Sequence, residues 1–164
     1  MTTDELLARD GDLWLQRKRD GQRHLALITK TGAVKLYSRR MDDMTAHFPR
    51  LCAEIAKLGL PKKTILDGEI LIDQLGKDNF RAVGTITRAK PVKAVPREAA
   101  FMDAGELKFM VFDCLYFGGK PVWEKPYEYR YHEVLCNFLS NDIDDVVYYP
   151  TLLDMTLEQA MRAA

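Results

Sequence analysis

Residues 64–73 read Thr-Ile-Leu-Asp-Gly-Glu-Ile-Leu-Ile-Asp, a stretch that predicts a mostly apolar β-strand. Because side chains alternate between the two faces of a strand, Asp67 and Glu69 share one face. Buried carboxylates without partners are costly, so we expect both to meet cations. The candidates are Lys18, an arginine, or a magnesium ion carried by a nucleotide. A structural ion pair is the alternative explanation for the same carboxylates.

Residues 16–23 read Gln-Arg-Lys-Arg-Asp-Gly-Gln-Arg and place a lysine two residues before an Asp-Gly pair. An extended backbone here would project Gln16, Lys18 and Asp20 to one common face. Gly21 would let the backbone turn tightly beside that face and leave room for the phosphates of a ligand. The arrangement is one that a lysine nucleophile would need, but an exposed lysine between a strand and a turn is the commoner explanation of such a tetrapeptide by itself.

Three arginines surround this lysine in the sequence. A lysine with the ordinary pKa of about 10.4 is almost fully protonated at pH 7, so a nucleophilic lysine needs burial or nearby positive charge. We interpret Arg17, Arg19 and Arg23 as the source of that charge.

A third segment, residues 109–119, reads Phe-Met-Val-Phe-Asp-Cys-Leu-Tyr-Phe-Gly-Gly and predicts another apolar strand. Alternation makes Phe112 and Asp113 face opposite sides of it. An aromatic ring at such a position can stack on a purine. Packing in the core is the commoner role of a strand phenylalanine and is the alternative here.

The remaining pattern alternates strands with helices and predicts an α+β or α/β unit. The predicted strands are 12–18, 22–30, 33–38, 64–73, 107–116 and 144–150. One predicted helix carries Met44, Phe48, Leu51, Ile55 and Leu58, and another runs from Pro126 to about residue 139. The connections within 74–106 are long, and we interpret 81–97 as a loop or a broken helix.

Composition suits one globular domain. The chain has 164 residues, 47% of them hydrophobic, and its 24 Lys and Arg balance 24 Asp and Glu. Residues 81–97 nevertheless carry five positive charges and no acid, which predicts a basic side. Cys52, Cys114 and Cys136 are far apart among apolar residues, as expected for buried thiols in the cytoplasm. We find no membrane span or signal peptide in the sequence.

The end of the chain, Thr156-Leu-Glu-Gln159, resembles a capping box that opens a helix, yet the sequence stops five residues later. A helix that short is marginal in water. We therefore expect the 164 residues to be a fragment of a longer gene product. A naturally frayed end is the alternative.

Together these motifs resemble the nucleotidyltransferase (adenylation) domain of ATP-dependent DNA ligases, a superfamily shared with capping enzymes and RNA ligases. Four segments resemble the family's motifs in the family's order: 18–23, 37–40, 66–69 and 111–113. Lys125-Pro-Tyr-Glu-Tyr-Arg130 also resembles the start of the family's next helix. The resemblance implies an α+β fold in which antiparallel β-sheets are flanked by helices. It implies a partial ATP-grasp-like nucleotidyltransferase domain over residues 1–164, without the oligonucleotide-binding-fold domain.

The resemblance implies covalent nucleotidyl transfer with ATP and Mg²⁺ as cofactors. Lys18 would attack the α-phosphate of ATP, and AMP would pass from the lysine to the 5′-phosphate of nicked double-stranded DNA. Asp20 would support the lysine and the metal. Glu69 would contact the ribose or the metal shell, and Phe112 would stack on adenine. Gln16, where many DNA ligases have glutamate, could accept a hydrogen bond from the adenine amino group.

Arginines and one lysine would hold phosphates, either of ATP or of the nucleic acid. The resemblance assigns Arg23 and Arg39 to both, and we expect further nucleic-acid contacts from Arg40, Arg88 and Lys90. It implies a monomeric, cytoplasmic enzyme of DNA replication, repair and recombination.

After Asp154 the chain lacks the family's Glu-Gly-hydrophobic-hydrophobic segment and its Lys-x-Lys strand. We therefore expect it to bind nucleotide weakly and not to seal nicks by itself. Two alternatives remain open. One is a capping-type guanylyltransferase or RNA ligase, and the other is a catalytically inactive fragment that binds DNA through residues 81–97.

Overall fold

The computed structural model describes residues 14–163, which fall into two units. The main unit is Arg19–Tyr149, and the smaller unit combines the described parts of Met1–Lys18 and Pro150–Ala164. The strands of the main unit are β1 Gln22–Ile28, β2 Val34–Ser38, β3 Thr64–Gln74, β4 Lys77–Asp78, β5 Leu107–Phe117, β6 Lys120–Pro121 and β7 Val147–Tyr148. Its helices are α1 Pro49–Lys57, α2 Phe80–Thr87, α3 Pro91–Asp103 and α4, which joins the turns Tyr127–Tyr129, Arg130–Leu135 and Cys136–Phe138. Helix α5, Leu157–Ala163, belongs to the smaller unit.

The main unit contains one seven-stranded sheet in the order β2-β1-β3-β5-β6, with β4 beside β3 and β7 beside β5. Neighbouring strands are antiparallel except β5 and β7, which are parallel. A parallel neighbour requires a long crossover, and α4 lies in the chain between these two strands. The predicted α+β class is confirmed, although strand 144–150 is shorter than predicted.

The centre of the sheet is the β3–β5 pair, and one glycine permits its close packing. A Cβ atom on Gly68 would lie 2.6 Å from the Met110 carbonyl oxygen and 2.7 Å from the Phe109 ring. Phe109 and the apolar residues Leu66 and Ile70 are fully buried there. The Asp-Gly-Glu sequence of β3 therefore has two roles. Its acidic residues carry charge, and its glycine is needed for packing because only glycine leaves space for the Phe109 ring.

Helix α1 begins later than the apolar spacing predicts. Pro49 occupies its first position, where a missing N–H costs nothing, so the helix includes Leu51 and Ile55 but not Met44 and Phe48. Met44 and Phe48 flank a single 3₁₀ turn instead and are still buried. The prediction of one buried helical face is confirmed for Leu51 and Ile55.

Most of the predicted long connection 74–106 is regular structure. It contains β4, α2 and α3, so the loop interpretation of 81–97 is wrong and the broken-helix interpretation is confirmed. Asn79 begins α2 by accepting a hydrogen bond from the Ala82 N–H at 3.0 Å, and Pro91 begins α3. The break between the helices carries Arg88 and Lys90.

The smaller unit contains no strand among its described residues, so the predicted strand 12–18 is wrong for residues 14–18. Residues 12 and 13 lie outside the described part. The predicted capping box is confirmed: the Gln159 N–H donates to the Thr156 hydroxyl at 3.2 Å, and the Thr156 N–H donates to Gln159 Oε1 at 2.9 Å.

The cysteines follow the expectation of unpaired thiols. Cys52, Cys114 and Cys136 are all free; the first two are buried, and burial raises the pKa of each of those two to about 12. Cys136 is only half-buried. Between residues 14 and 163, we find no helix with the length and apolar character needed to cross a membrane.

Candidate functional site

A cleft of about 620 Å³ opens on the main unit beside β1, the end of β2 and helix α2. Its lining includes Gly21, Arg23, Arg39, Arg40, Glu69 and Arg88. Asp42 lines the cleft as well, so four arginines and two carboxylates share one concave surface. The structure thus brings together residues from three of the sequence motifs and from the basic stretch 81–97.

Glu69 and Gly21 are direct neighbours in this cleft. The β1–β3 register pairs Gln22 with Ile70, so Gly21 lies against β3, and its N–H donates to Glu69 Oε1 at 3.2 Å. A Cβ atom on Gly21 would lie 2.4 Å from the Ile70 carbonyl oxygen and 2.5 Å from a Leu71 methyl group. The glycine of the lysine motif is therefore required by this close approach, which also orients the Glu69 carboxylate.

Arg23 is anchored by a buried carboxylate. Its Nε donates to Asp67 Oδ1 at 2.8 Å and its Nη2 donates to Asp67 Oδ2, while Asp67 is only 3% exposed. The hydrogen bond to Asp67 raises the pKa of Arg23. The expectation that Asp67 meets a cation is confirmed, and the cation is an arginine.

A second ion pair lies beside the first. Asp113 is the cross-strand partner of Asp67, and it accepts hydrogen bonds from Arg130 Nε at 2.6 Å and Nη2 at 2.9 Å. Opposed carboxylates on neighbouring strands repel, so each needs its own arginine. The pairing of Asp113 with Arg130 was not predicted from the sequence, although both residues lie in motifs that it singled out.

Phe112 lies at the edge of a small apolar cluster. The ring is half-buried and packs against Leu71, Met110 and Tyr148. Arg23, which lines the cleft, has its guanidinium carbon 6.0 Å from the Phe112 ring centroid. The cleft lining found among the described residues does not include Phe112, so its adenine-stacking role stays a prediction.

Arg39 and Arg40 are exposed on a turn that Ser38 organises. The Ser38 hydroxyl accepts hydrogen bonds from the backbone N–H groups of Arg40 and Asp42, both at 3.2 Å, and donates to the Asp42 carboxylate at 3.0 Å. Met41 adopts a positive φ of 66° at the tip. A serine in the Ser-Arg-Arg sequence thus fixes the backbone from which both arginines project.

Arg88 reaches the cleft from the end of α2. A Cβ atom on Gly84 would lie 2.6 Å from Arg88 Nη2, so the glycine lets the guanidinium fold back along the helix. The next residue is also held, because the Ala89 carbonyl lies 2.9 Å from Nε2 of His47. Lys90 is exposed and is not part of the cleft lining described among residues 14–163.

Arg19 differs most from its expected role. It is 4% exposed and binds Asp78 and Asp73, its Nη2 lying 2.7 Å and 2.6 Å from their carboxylate oxygens. Burial lowers the pKa of Arg19, but these hydrogen bonds give a net rise. The sequence analysis interpreted Arg17, Arg19 and Arg23 as the source of positive charge near Lys18. The structure pairs Arg19 and Arg23 with carboxylates, and their effect on Lys18 stays a prediction.

The remaining predicted residues, Asp20, Lys18 and Gln16, are close to Arg19 in the sequence. Asp20 is exposed, and its N–H donates to Asp78 Oδ2 at 2.9 Å rather than to a neighbouring strand. Lys18 and Gln16 belong to the smaller unit, where Lys18 is exposed and Gln16 is half-buried. Their catalytic and adenine-binding roles stay predictions.

Comparison with characterised proteins gives consistent matches. A family model for the ATP dependent DNA ligase domain matches residues 2–161. The chain is 31% identical over 134 residues to DNA ligase 1 of Methanosarcina barkeri, which covers 79% of this chain and 24% of that protein. It is also 31% identical over 130 residues to the SPbeta prophage-derived DNA ligase-like protein LigB of Bacillus subtilis, covering 79% and 42%.

Solved structures show the same relationship in three dimensions. A mycobacterial DNA ligase D complexed with ATP and MES matches with a TM-score of 0.63 and 25% identity, over 94% of this chain and 45% of that chain. The ligase domain of M. tuberculosis LigD matches with a TM-score of 0.64 at the same identity. The chain spans about a quarter of the first curated relative and under half of these structures. Because the family model covers nearly the whole chain, this chain belongs to the ATP-dependent DNA ligase domain family.

Proposed function

We propose that this domain carries out the adenylation step of a DNA ligase, with Lys18 as the nucleophile. The single observation that supports this most is the cleft of the main unit. There Glu69 and four arginines converge beside Gly21, in the segment that directly follows Lys18 and Asp20. Phosphoryl transfer depends mainly on positioning and charge stabilisation, and this set of side chains provides both.

In the proposed step, the Lys18 amine loses a proton and attacks the α-phosphorus of ATP. A nitrogen–phosphorus bond forms, and the bond to the pyrophosphate oxygen breaks. Arg23 and Arg39 stabilise charge on the phosphate oxygens, and Glu69 binds the ribose or the metal shell. The adenylate then passes to the 5′-phosphate of a DNA nick.

The carboxylates present are compatible with magnesium carried by a nucleotide. Mg²⁺ is commonly held by one or two carboxylates together with phosphate oxygens, and when bound it neutralises phosphate charge. Glu69 lines the cleft and Asp20 is exposed beside Gly21. Among the described residues, no group of three or more His, Cys, Asp and Glu side chains is arranged to hold a metal without such a ligand.

We propose that Arg39, Arg40, Arg88 and Lys90 contact nucleic-acid phosphates. Arg39, Arg40 and Arg88 lie on the cleft, and all four are exposed. Such contacts would give affinity with little sequence preference and a steep dependence on salt. The binding-module alternative rests on the same surface and differs only in needing no reaction at Lys18.

Transfer of labelled nucleotide tests this proposal and separates the alternatives. The gene product that carries this chain is incubated with ATP or GTP labelled at the α-phosphate, then with nicked DNA or nicked RNA. We expect label from ATP on the protein and its transfer to nicked DNA. Label from GTP alone would favour a guanylyltransferase, transfer only to RNA would favour an RNA ligase, and DNA binding without any label would favour the binding module.

A further inference from the structure

A buried ion cluster lies at the start of the main unit. Arg19 Nε lies 3.0 Å from both carboxylate oxygens of Asp78, and its Nη2 binds Asp78 and Asp73. The Arg19 side chain is 4% exposed, and the side chains of Asp78 and Asp73 are 14% and 20% exposed. We call these three residues the Arg19 cluster.

The Arg19 cluster joins the start of the main unit to the β3–β4 hairpin. Asp73 and Asp78 are cross-strand partners in that hairpin, so their carboxylates would repel each other without a cation between them. Asp73 Oδ1 also accepts the Gly76 N–H of the turn at 2.8 Å. The hairpin is therefore shaped to receive one arginine.

The same cluster fixes the backbone that follows Lys18. Asp78 Oδ2 accepts the Asp20 N–H at 2.9 Å, and Glu69 then accepts the Gly21 N–H at 3.2 Å. Two successive N–H groups are thus bound by side chains of the hairpin and of β3. Lys18 is bonded to Arg19, so the network holds the backbone that directly follows the lysine in the chain.

Asp78 also connects this segment to the basic part of the cleft. The next residue, Asn79, caps α2, and Arg88 projects from the end of that helix into the cleft. Displacement of Asp78 would therefore affect two features at once. These are the backbone at Asp20 and the helix that carries Arg88.

We propose that the Arg19 cluster is a positioning device for Lys18, so that Arg19, Asp73 and Asp78 are positioning residues for adenylation. This inference rests on the proposed function, because it assigns the cluster a role in the reaction of Lys18. Burying three charged groups is a poor route to stability, since apolar replacements of buried ion pairs are often equally stable. A fixed backbone at the nucleophile has a different benefit, because a shift of about 1 Å can cost roughly a hundredfold in rate.

The test measures single-turnover formation of lysyl-AMP as a function of ATP concentration, in the gene product that carries this chain. Arg19→Met removes the charge at similar length, Arg19→Lys keeps the charge without the planar fork, and Asp78→Asn removes one carboxylate charge. We expect the rate at saturating ATP to fall about ten- to hundredfold in Arg19→Met. The ATP concentration at half-maximal rate should change less than about threefold, because the phosphate-binding side chains remain.

Two controls separate positioning from general stability. Arg50→Met removes an exposed arginine of α1 that binds Asp103 of α3. Its maximal rate of lysyl-AMP formation should equal that of the wild type. Ile55→Ala destabilises the fully buried face of α1 and should lower the melting temperature without lowering the maximal rate. If Arg19→Met does not fold, the maximal rate of Arg19→Lys tests the inference instead. The lysine ammonium can still pair with the two carboxylates, so this variant is expected to fold.

Each outcome supports or overturns the inference. A selective fall in maximal rate in the Arg19 and Asp78 variants supports it. Wild-type maximal rates in folded Arg19 variants, or an effect no different from that of Ile55→Ala, overturn it while leaving the proposed function intact. If the wild-type protein forms no lysyl-AMP at all, the proposed function fails, and this inference fails with it.

Discussion

Asp67 holds Arg23 by both of its carboxylate oxygens across β3 and β1, although Asp67 is buried and Arg23 is half exposed. The pair directs the guanidinium toward the cleft and within 6.0 Å of the Phe112 ring centroid. Among the described residues, Asp67 takes Nε and Nη2 of the arginine, so Nη1 can meet a phosphate oxygen. If Arg23 binds a phosphate as proposed, Asp67 would orient it for that ligand.

Asp67→Ala should weaken ATP binding by releasing Arg23 from this orientation. We expect about a tenfold fall in ATP affinity, in line with removal of one partner of a bidentate charged pair. The free energy of unfolding should fall by only about 1 kcal/mol, because the exposed guanidinium of Arg23 can be hydrated when Asp67 is removed. Isothermal calorimetry with ATP measures the first effect and urea unfolding the second. Asp103→Ala is the control, and unchanged ATP binding in Asp67→Ala would contradict this role of Asp67.

Glu98 gives a prediction about pH. This fully buried residue of α3 accepts the Leu51 N–H at 2.8 Å and so caps α1, which has no capping side chain of its own. Burial raises the pKa of Glu98. The folded state therefore binds the Glu98 proton more tightly than the unfolded state, and stability is lost as pH rises through the folded pKa.

Glu98→Gln should remove this pH dependence, because an amide oxygen can still cap α1 but does not ionise. The variant should gain stability relative to the wild type as pH rises above about 4.3, the ordinary glutamate pKa. Glu98→Ala should be less stable than Glu98→Gln by about 1–2 kcal/mol at all pH values, because neither side chain ionises and the alanine removes the cap. Urea unfolding between pH 4 and 8 measures both. A constant difference between wild type and Glu98→Gln across that range would refute the assignment.

Gly68→Ala should destabilise the sheet centre. The added methyl group would lie 2.6 Å from the Met110 carbonyl oxygen, which belongs to the backbone of β5 and cannot rotate away. We expect the free energy of unfolding to fall by about 1–3 kcal/mol or more. Gly59→Ala isolates the other cause of a glycine requirement, since Gly59 has a positive φ of 65° but no atom within 4 Å of the added Cβ. Gly68 has no positive φ, so an unchanged free energy of unfolding in Gly68→Ala would contradict the close approach.

Arg88→Ala and Lys90→Ala should each weaken binding to double-stranded DNA without changing sequence preference. Removing one phosphate-binding cation should reduce the slope of log affinity against log salt by about 0.9. Lys57→Ala, on the exposed side of α1, is the control and should leave the slope unchanged. Fluorescence anisotropy across a salt series measures the slopes. Slopes equal to the wild type in the first two variants would remove these residues from the proposed DNA surface.

The sequence predicted the longer strands of the main unit well, because the alternation of apolar and polar side chains along a strand is a local pattern. Alternation located β1, β2, β3 and β5. The helices within 74–106 were predicted only as an alternative to a loop, because short segments with proline and glycine resemble loops when Asn79 is not recognised as a cap. Residues 14–18 resembled a strand for the opposite reason, since alternation is visible in sequence but the absence of a partner strand is not.

For the site, sequence reasoning identified the residues that line the cleft better than the residues that hold them. Arg23, Arg39, Glu69 and Arg88 were predicted and lie together. Arg19 was assigned only as a source of positive charge for Lys18, because nothing near it in the sequence shows that Asp73 and Asp78 pair with it. Long-range ion pairs of this kind leave no periodic signal, and only the fold reveals them.

Mapping the adenylated peptide tests the central claim most directly. The gene product that carries this chain is incubated with ATP and Mg²⁺, digested, and analysed by mass spectrometry, with Lys18→Ala in parallel. We expect AMP on the peptide that contains Lys18 and none in the variant. Attachment at another residue, persistence of the adduct in Lys18→Ala, or no adduct in the wild type would contradict it.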